Sequence, residues 1–66
     1  MKNTIKLSRA FKNITQEDLA KEIGVSRQTI NAMEAGKYVP STVLALKIAK
    51  YFGKKVEEIF ELEEND

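Results

Sequence analysis

The chain contains no cysteine and no histidine. Without cysteine there is no disulfide to staple a small fold and no thiolate to hold a metal. Without histidine the commonest general base and metal ligand is missing. An enzyme built from this sequence would depend on carboxylates, lysine, serine or tyrosine. A chain of 66 residues leaves little room for a substrate cleft, and no paired acid–base groups stand out, so enzymatic activity is not expected. No apolar run is long enough to span a bilayer and no signal peptide is evident, which leads us to expect a cytoplasmic protein without a membrane partner. The length fits one small domain over residues 1–66. Such a domain buries only about 60% of the surface its unfolded chain exposes, so its core must be efficient or a partner must add to it.

Net charge is only +1, but its distribution is lopsided. From Val56 onward there are six acidic residues (Glu57, Glu58, Glu61, Glu63, Glu64, Asp66) and no basic one. Residues 1–55 therefore hold all eleven Lys and Arg against four acids, a balance of +7. A basic body with an acidic end suggests a polyanionic partner.

The densest pattern lies in Gln16 to Glu34, QEDLAKEIGVSRQTINAME. Leu19, Ala20 and Ile23 repeat at the spacing of one helix face, and Ile30, Met33 and Glu34 do so again. Between the two runs, Ile23-Gly24-Val25-Ser26 is too short for anything but a tight turn. Gly24 supplies the positive φ such a turn needs. Ser26 is placed to cap the second helix by accepting from the backbone N–H of Gln28 or Thr29. Small Ala20 lets the two helices cross closely at about 90–120°. An ordinary helical hairpin with a solvated polar face would share parts of this pattern. It would not explain why Arg27, Gln28, Thr29 and Asn31 cluster in the first turns of the second helix. Arg and Gln forks match guanine and adenine edges in the major groove, and the start of a recognition helix is where bases are read.

The rest of the chain predicts three further helices. Helix 1 runs from about Thr4 or Ile5 to Lys12 with Asn13 at its exit, helix 2 from Gln16 to Ile23, and helix 3 from Arg27 to about Ala35. Thr15 and Asp18 are spaced as a capping box. Pro40 ends the Lys37–Pro40 loop, and Ser41 caps a fourth helix from Thr42 to Phe52. A short fifth helix covers Val56 to Phe60, and Glu61–Asp66 is an acidic tail. The expected fold class is all-α, a compact five-helix bundle containing a helix-turn-helix at residues 16–35, with room for a small two-stranded sheet from the chain ends. The expected core is Ile5, Phe11, Ile14, Leu19, Ala20, Ile23, Val25, Ile30, Met33, Leu44, Ile48, Phe52, Val56 and Ile59. If the ends pair, Leu62 should point inward.

From Ile5 to Phe60 the sequence resembles the small Cro/CI-type (XRE-family) helix-turn-helix regulators, which have the lambda-repressor-like DNA-binding fold. The resemblance rests on ITQEDLAKEIGVSRQTINAMEAGKYVPS, then ALKIAKYF and VEEIF. It is closest to free-standing dimeric repressors of the kind that controls the cytolysin operon. It implies double-stranded DNA as partner, a homodimer, and neither cofactor, metal nor small-molecule ligand. Arg27, Gln28 and Thr29 fall on base-reading positions, Ala32 would lie against a thymine methyl, and Asn31 contacts backbone or a neighbouring base. Gln16, Lys37 and Tyr38 fall on phosphate-binding positions. Arg9 and Glu34 match a pair that forms a structural salt bridge between helices 1 and 3. Tyr51, Lys55, Val56 and Ile59 are the candidates for the dimer surface, with a conflict at Val56 and Ile59, which the core also claims. Ser8 stands where leucine is usual, so helix 1 is expected to pack through Leu7 instead. Ala35 replaces a frequent polar Asn. The competing reading is an antitoxin-like protein-binding module that uses the acidic tail for its main contact.

Overall fold

In a computed structural model describing all 66 residues, the two ends of the chain meet. β1 (Lys2–Asn3) pairs antiparallel with β2 (Phe60–Glu61), with Lys2 opposite Glu61 and Asn3 opposite Phe60. Between them run α1 (Ile5–Lys12), α2 (Gln16–Ile23), α3 (Arg27–Glu34), α4 (Thr42–Phe52) and α5 (Val56–Ile59). α2 packs most extensively on α3, and α4 lies against α2 with α5 beside it.

Local chemistry sets the helix boundaries. Thr15 Oγ1 accepts from Asp18 N at 3.0 Å while Asp18 Oδ2 accepts from Thr15 N at 2.9 Å, closing the capping box at the start of α2. These backbone and hydroxyl bonds hold the Asp18 carboxyl below the usual aspartate range. Ser26 and Ser41 cap α3 and α4 by accepting from Thr29 N and Leu44 N. α1 ends at Asn13, the one non-glycine residue with positive φ (57°), a conformation that asparagine tolerates better than most side chains.

The core is made by Ile5, Leu19, Ile30, Met33, Ile48 and Ile59, all fully buried, with Ala20, Ile23, Leu44, Ala49 and Phe60 around them. Each large side chain removed from water in this way contributes about 1.5–3 kcal/mol. Ile14, Val25, Phe52 and Val56 pack against this cluster as half-buried neighbours.

Two expectations for α1 are corrected. Phe11 is 79% exposed and Leu7 57% exposed. The inward face of α1 is set by Ile5 and Ser8. Phe11 comes six residues after Ile5, which at 3.6 residues per turn is roughly 120° around the helix. Lys12 falls on the Ile5 side instead, and its ammonium lies 4.6 Å from the centre of the Tyr51 ring. Ser8 is buried, and its hydroxyl has no hydrogen-bond partner.

The tail is also corrected in detail. Phe60, not Leu62, is the inward residue of the terminal sheet, because β2 ends at Glu61 and Leu62 is left exposed. Beyond it Glu63 N donates to Asp66 Oδ2 (2.7 Å) and Asp66 N donates to Glu63 O (3.0 Å). This turn brings both carboxylates to the Met1 ammonium, at 3.1 Å from Glu63 and 3.2 Å from Asp66. The acidic tail is therefore folded back on the start of the chain.

Candidate nucleic-acid interface

Gly24 adopts φ +82°, and its N–H and that of Val25 both donate to Ala20 O, at 2.8 and 3.0 Å. This closes α2 and redirects the chain within one turn. Buried Ala20 sits at that bend, Val25 is half-buried, and Ser26 opens α3. α3 then buries Ile30 and Met33 against the core. Its opposite face carries Arg27, Gln28 and Asn31, which surround a shallow depression open to solvent. Eight residues of helix span about 12 Å, comparable to the width of a B-DNA major groove.

α3 is fixed at its far end by polar ties. Arg9 Nε donates to Glu34 Oε2 at 2.6 Å and Arg9 Nη2 to Glu34 Oε1 at 3.0 Å, a two-point contact of the guanidinium fork with the carboxylate. Arg9 Nη1 also donates to Ile14 O at 3.1 Å, and Gln16 Nε2 to Glu34 Oε1 at 3.1 Å. Both charged side chains are largely buried (14% and 7% exposed). The Glu34 carboxylate holds the guanidinium pKa above its ordinary value despite that burial. Glu34 thus joins α3 to α1 and to the first residue of α2.

Residues 5–59 match the family model described as helix-turn-helix. An HTH-type transcriptional regulator of Methanocaldococcus jannaschii is 62% identical over 66 residues, the whole of both chains. The HTH-type transcriptional regulator YgzD of Bacillus subtilis is 52% identical, again over all of both chains. The chain belongs to the helix-turn-helix family of DNA-binding transcriptional regulators. A more distant relative, the HTH-type transcriptional activator BcrR of Enterococcus faecalis, is 39% identical over 56 residues, 85% of this chain and 28% of that protein.

Within the helix-turn-helix, the residues singled out from the sequence fall into groups. Arg27 and Gln28 are exposed, and their side chains make no hydrogen bond within the chain. Thr29 is half-buried, with its hydroxyl 2.9 Å from that of Ser26. Asn31 is exposed and accepts from Gln16 Nε2 at 3.3 Å, and Ala32 is half-buried. Gln16 therefore directs its amide group at Asn31 and Glu34 rather than into solvent. A phosphate at this end would have to displace one of those bonds or meet the N–H groups of Gln16 and Glu17, since that of Asp18 is taken by Thr15 Oγ1. Arg27 shares a second shallow depression with Thr15, Gln16 and Glu17, so the starts of the two helices are neighbours. Lys37 and Tyr38 are exposed in the loop after α3.

The four dimer candidates separate. Ile59 is 1% exposed and belongs to the core, where its burial leaves nothing to offer a second chain. Lys55 is exposed, and Tyr51 and Val56 are half-exposed. Asn3, which the sequence pattern does not mark, donates from Nδ2 to Met33 O at the end of α3 at 2.7 Å. Its signal was only a polar residue near a frayed-looking terminus.

Proposed function

We propose that this chain recognises a specific palindromic operator as a homodimer, with α3 of each copy in the major groove, and that it acts as a repressor. The observation that carries the reading is the pair Arg27 and Gln28, exposed and uncommitted at the first turn of a helix tied at both ends. These two are the base readers. Thr29, Asn31 and Ala32 line the adjacent surface, and Lys37 and Tyr38 grip phosphate, with Gln16 and the start of α2 beside them. This division is physically reasonable, since phosphate contacts fix register and base contacts specify sequence.

Size supports a dimer. The chain extends 31 Å at its longest and carries one recognition helix. Half-sites one DNA turn apart are about 34–36 Å from centre to centre, so reading two of them takes two copies. Exposed Lys55 and half-exposed Tyr51 and Val56 form the contact surface in this reading. Repression is the outcome that occupancy of a promoter alone produces. A relative named as an activator is consistent with direction being set by where the operator lies.

The test is selection of duplexes from a random-sequence library, then binding of the wild type and of Arg27→Ala with Gln28→Ala across a salt series. The wild type should enrich a palindrome. The double variant should lose about 1–3 kcal/mol of discrimination per reader while its salt slope barely moves. Enrichment of no sequence by the wild type would overturn the reading.

A further inference from the structure

The last carbonyls of α3 accept from the chain that follows: Asn31 O from Ala35 N at 3.0 Å, Ala32 O from Lys37 N at 2.9 Å and Met33 O from Gly36 N at 3.0 Å. Met33 O has a second donor, which comes from the other end of the domain. Asn3 Nδ2 donates to Met33 O at 2.7 Å, while Asn3 Oδ1 accepts from Ile5 N at 3.2 Å. One amide thus bridges the start of α1 and the end of α3. The Thr4 side chain makes no cap bond to α1, so Asn3 takes over that role. The backbone of Asn3 is held in turn, opposite Phe60 in the terminal sheet, with Thr4 N donating to Ile59 O at 2.9 Å. Phe60 and Ile59 are both buried. The sheet therefore gives Asn3 a fixed origin, and its short side chain leaves little play.

We propose that Asn3 is a positioning residue for DNA recognition, setting the tilt of α3 through Met33 and so the reach of Arg27 and Gln28 into the groove. Met33 and Glu34 are consecutive, and each is tied to a different element: Met33 to the terminal sheet, Glu34 to α1 and α2. These ties to different elements at its last turn add to the buried Ile30 and Met33 in holding the direction of this short helix. A small rotation at that end displaces the first turn, where bases are read, by an amount that grows with the length of the helix. The inference rests on α3 being the reading helix.

Asn3→Asp separates positioning from folding. Aspartate keeps the acceptor for Ile5 N and is a good cap for α1, but it puts a carboxylate oxygen against Met33 O where a donor stood. Asn3→Ala removes both bonds without adding charge. The probes are the duplex most enriched by the wild type and a scrambled duplex of equal length, at fixed salt, with folding followed by circular dichroism and the amide signals of Met33 to Gly36 by NMR. For Asn3→Asp we expect an intact fold, shifted signals confined to that turn, and a loss of about tenfold in affinity for the selected duplex, comparable to one misplaced base contact. Scrambled-duplex binding should stay the same for Asn3→Ala, which carries no added charge, while its selected-duplex binding falls. Unchanged selected-duplex affinity in a folded Asn3→Asp would overturn the inference, as would equal losses on both duplexes for Asn3→Ala. If the wild type itself prefers no duplex, the reading of α3 fails first and this inference with it.

Discussion

Arg9 and Glu34 form a two-point ion pair that is largely shielded from solvent, with Nε–Oε2 at 2.6 Å and Nη2–Oε1 at 3.0 Å. Its geometry makes it a hinge pin between α1 and α3. Its value lies more in direction than in net stabilisation, because burying two charges costs nearly what their attraction returns. Removing one partner is different, since it strands the other charge in a mostly dry site. Arg9→Met or Glu34→Ala alone should lower unfolding free energy by about 3 kcal/mol. The double replacement should cost clearly less than the sum, giving a coupling of at least about 1 kcal/mol. Urea unfolding of the four proteins measures this, and additivity would show that the pair is not coupled.

Ser8 offers the opposite case. Its hydroxyl is buried on the core side of α1 and bonded to nothing. A buried polar group without a partner costs about 1–3 kcal/mol, and alanine is also a better helix former. Ser8→Ala should therefore raise stability by about 1 kcal/mol, or about 4–8 °C in melting temperature for a domain of this size. A lower melting temperature would mean that the hydroxyl is satisfied in solution.

The capping box of α2 carries a pH signature. The folded state holds the Asp18 carboxyl below its unfolded value, chiefly through the Thr15 backbone N–H and then its hydroxyl. The stabilisation is therefore fully present above the ordinary aspartate pKa of about 3.9 and is lost as pH falls through the lower folded value. Comparing wild type with Asp18→Asn, the gap in melting temperature should be constant from pH 5 to 7, on the order of these unperturbed limits, and shrink on further acidification. Thr15→Ala should cost about 1 kcal/mol at neutral pH. A gap that widens in acid would contradict the assignment.

Residues whose environment is local were legible in the sequence. Thr15, Gly24, Ser26 and Ser41 act within a few positions of themselves, and both ends of α2 and the starts of α3 and α4 followed from them. The apolar repeat of α2 and α3 was equally legible, since Leu19, Ala20, Ile23, Ile30 and Met33 all lie inside. Position Phe11 was not. Hydrophobicity suggested core, but α1 has only eight residues, and Ile5 and Ser8 had already decided which way it faces. Leu62 failed for a related reason: alternation predicts the inward side only while the strand lasts. In the candidate site, the outward cluster at Arg27 and Gln28 was readable from the turn. The commitment of Gln16 to Asn31 and Glu34, and of Asn3 to Met33, was not. Those bonds join residues brought together only by the packed helices and sheet, and no spacing in the sequence encodes them.

The terminal sheet pairs the third residue with the sixtieth. Helices form from neighbours, and contacts near in sequence close quickly, but joining the ends of a chain carries the largest loop-closure entropy. The ladder of β1 and β2 should thus zip after the helices it joins. Because Asn3 stands on that ladder, the role proposed for it implies that α3 takes its final direction only once the chain has closed on itself. Amide exchange at Thr4, whose N–H donates across the ladder to Ile59 O, would then report how often that closure is lost, at a site far along the chain from Arg27 and Gln28.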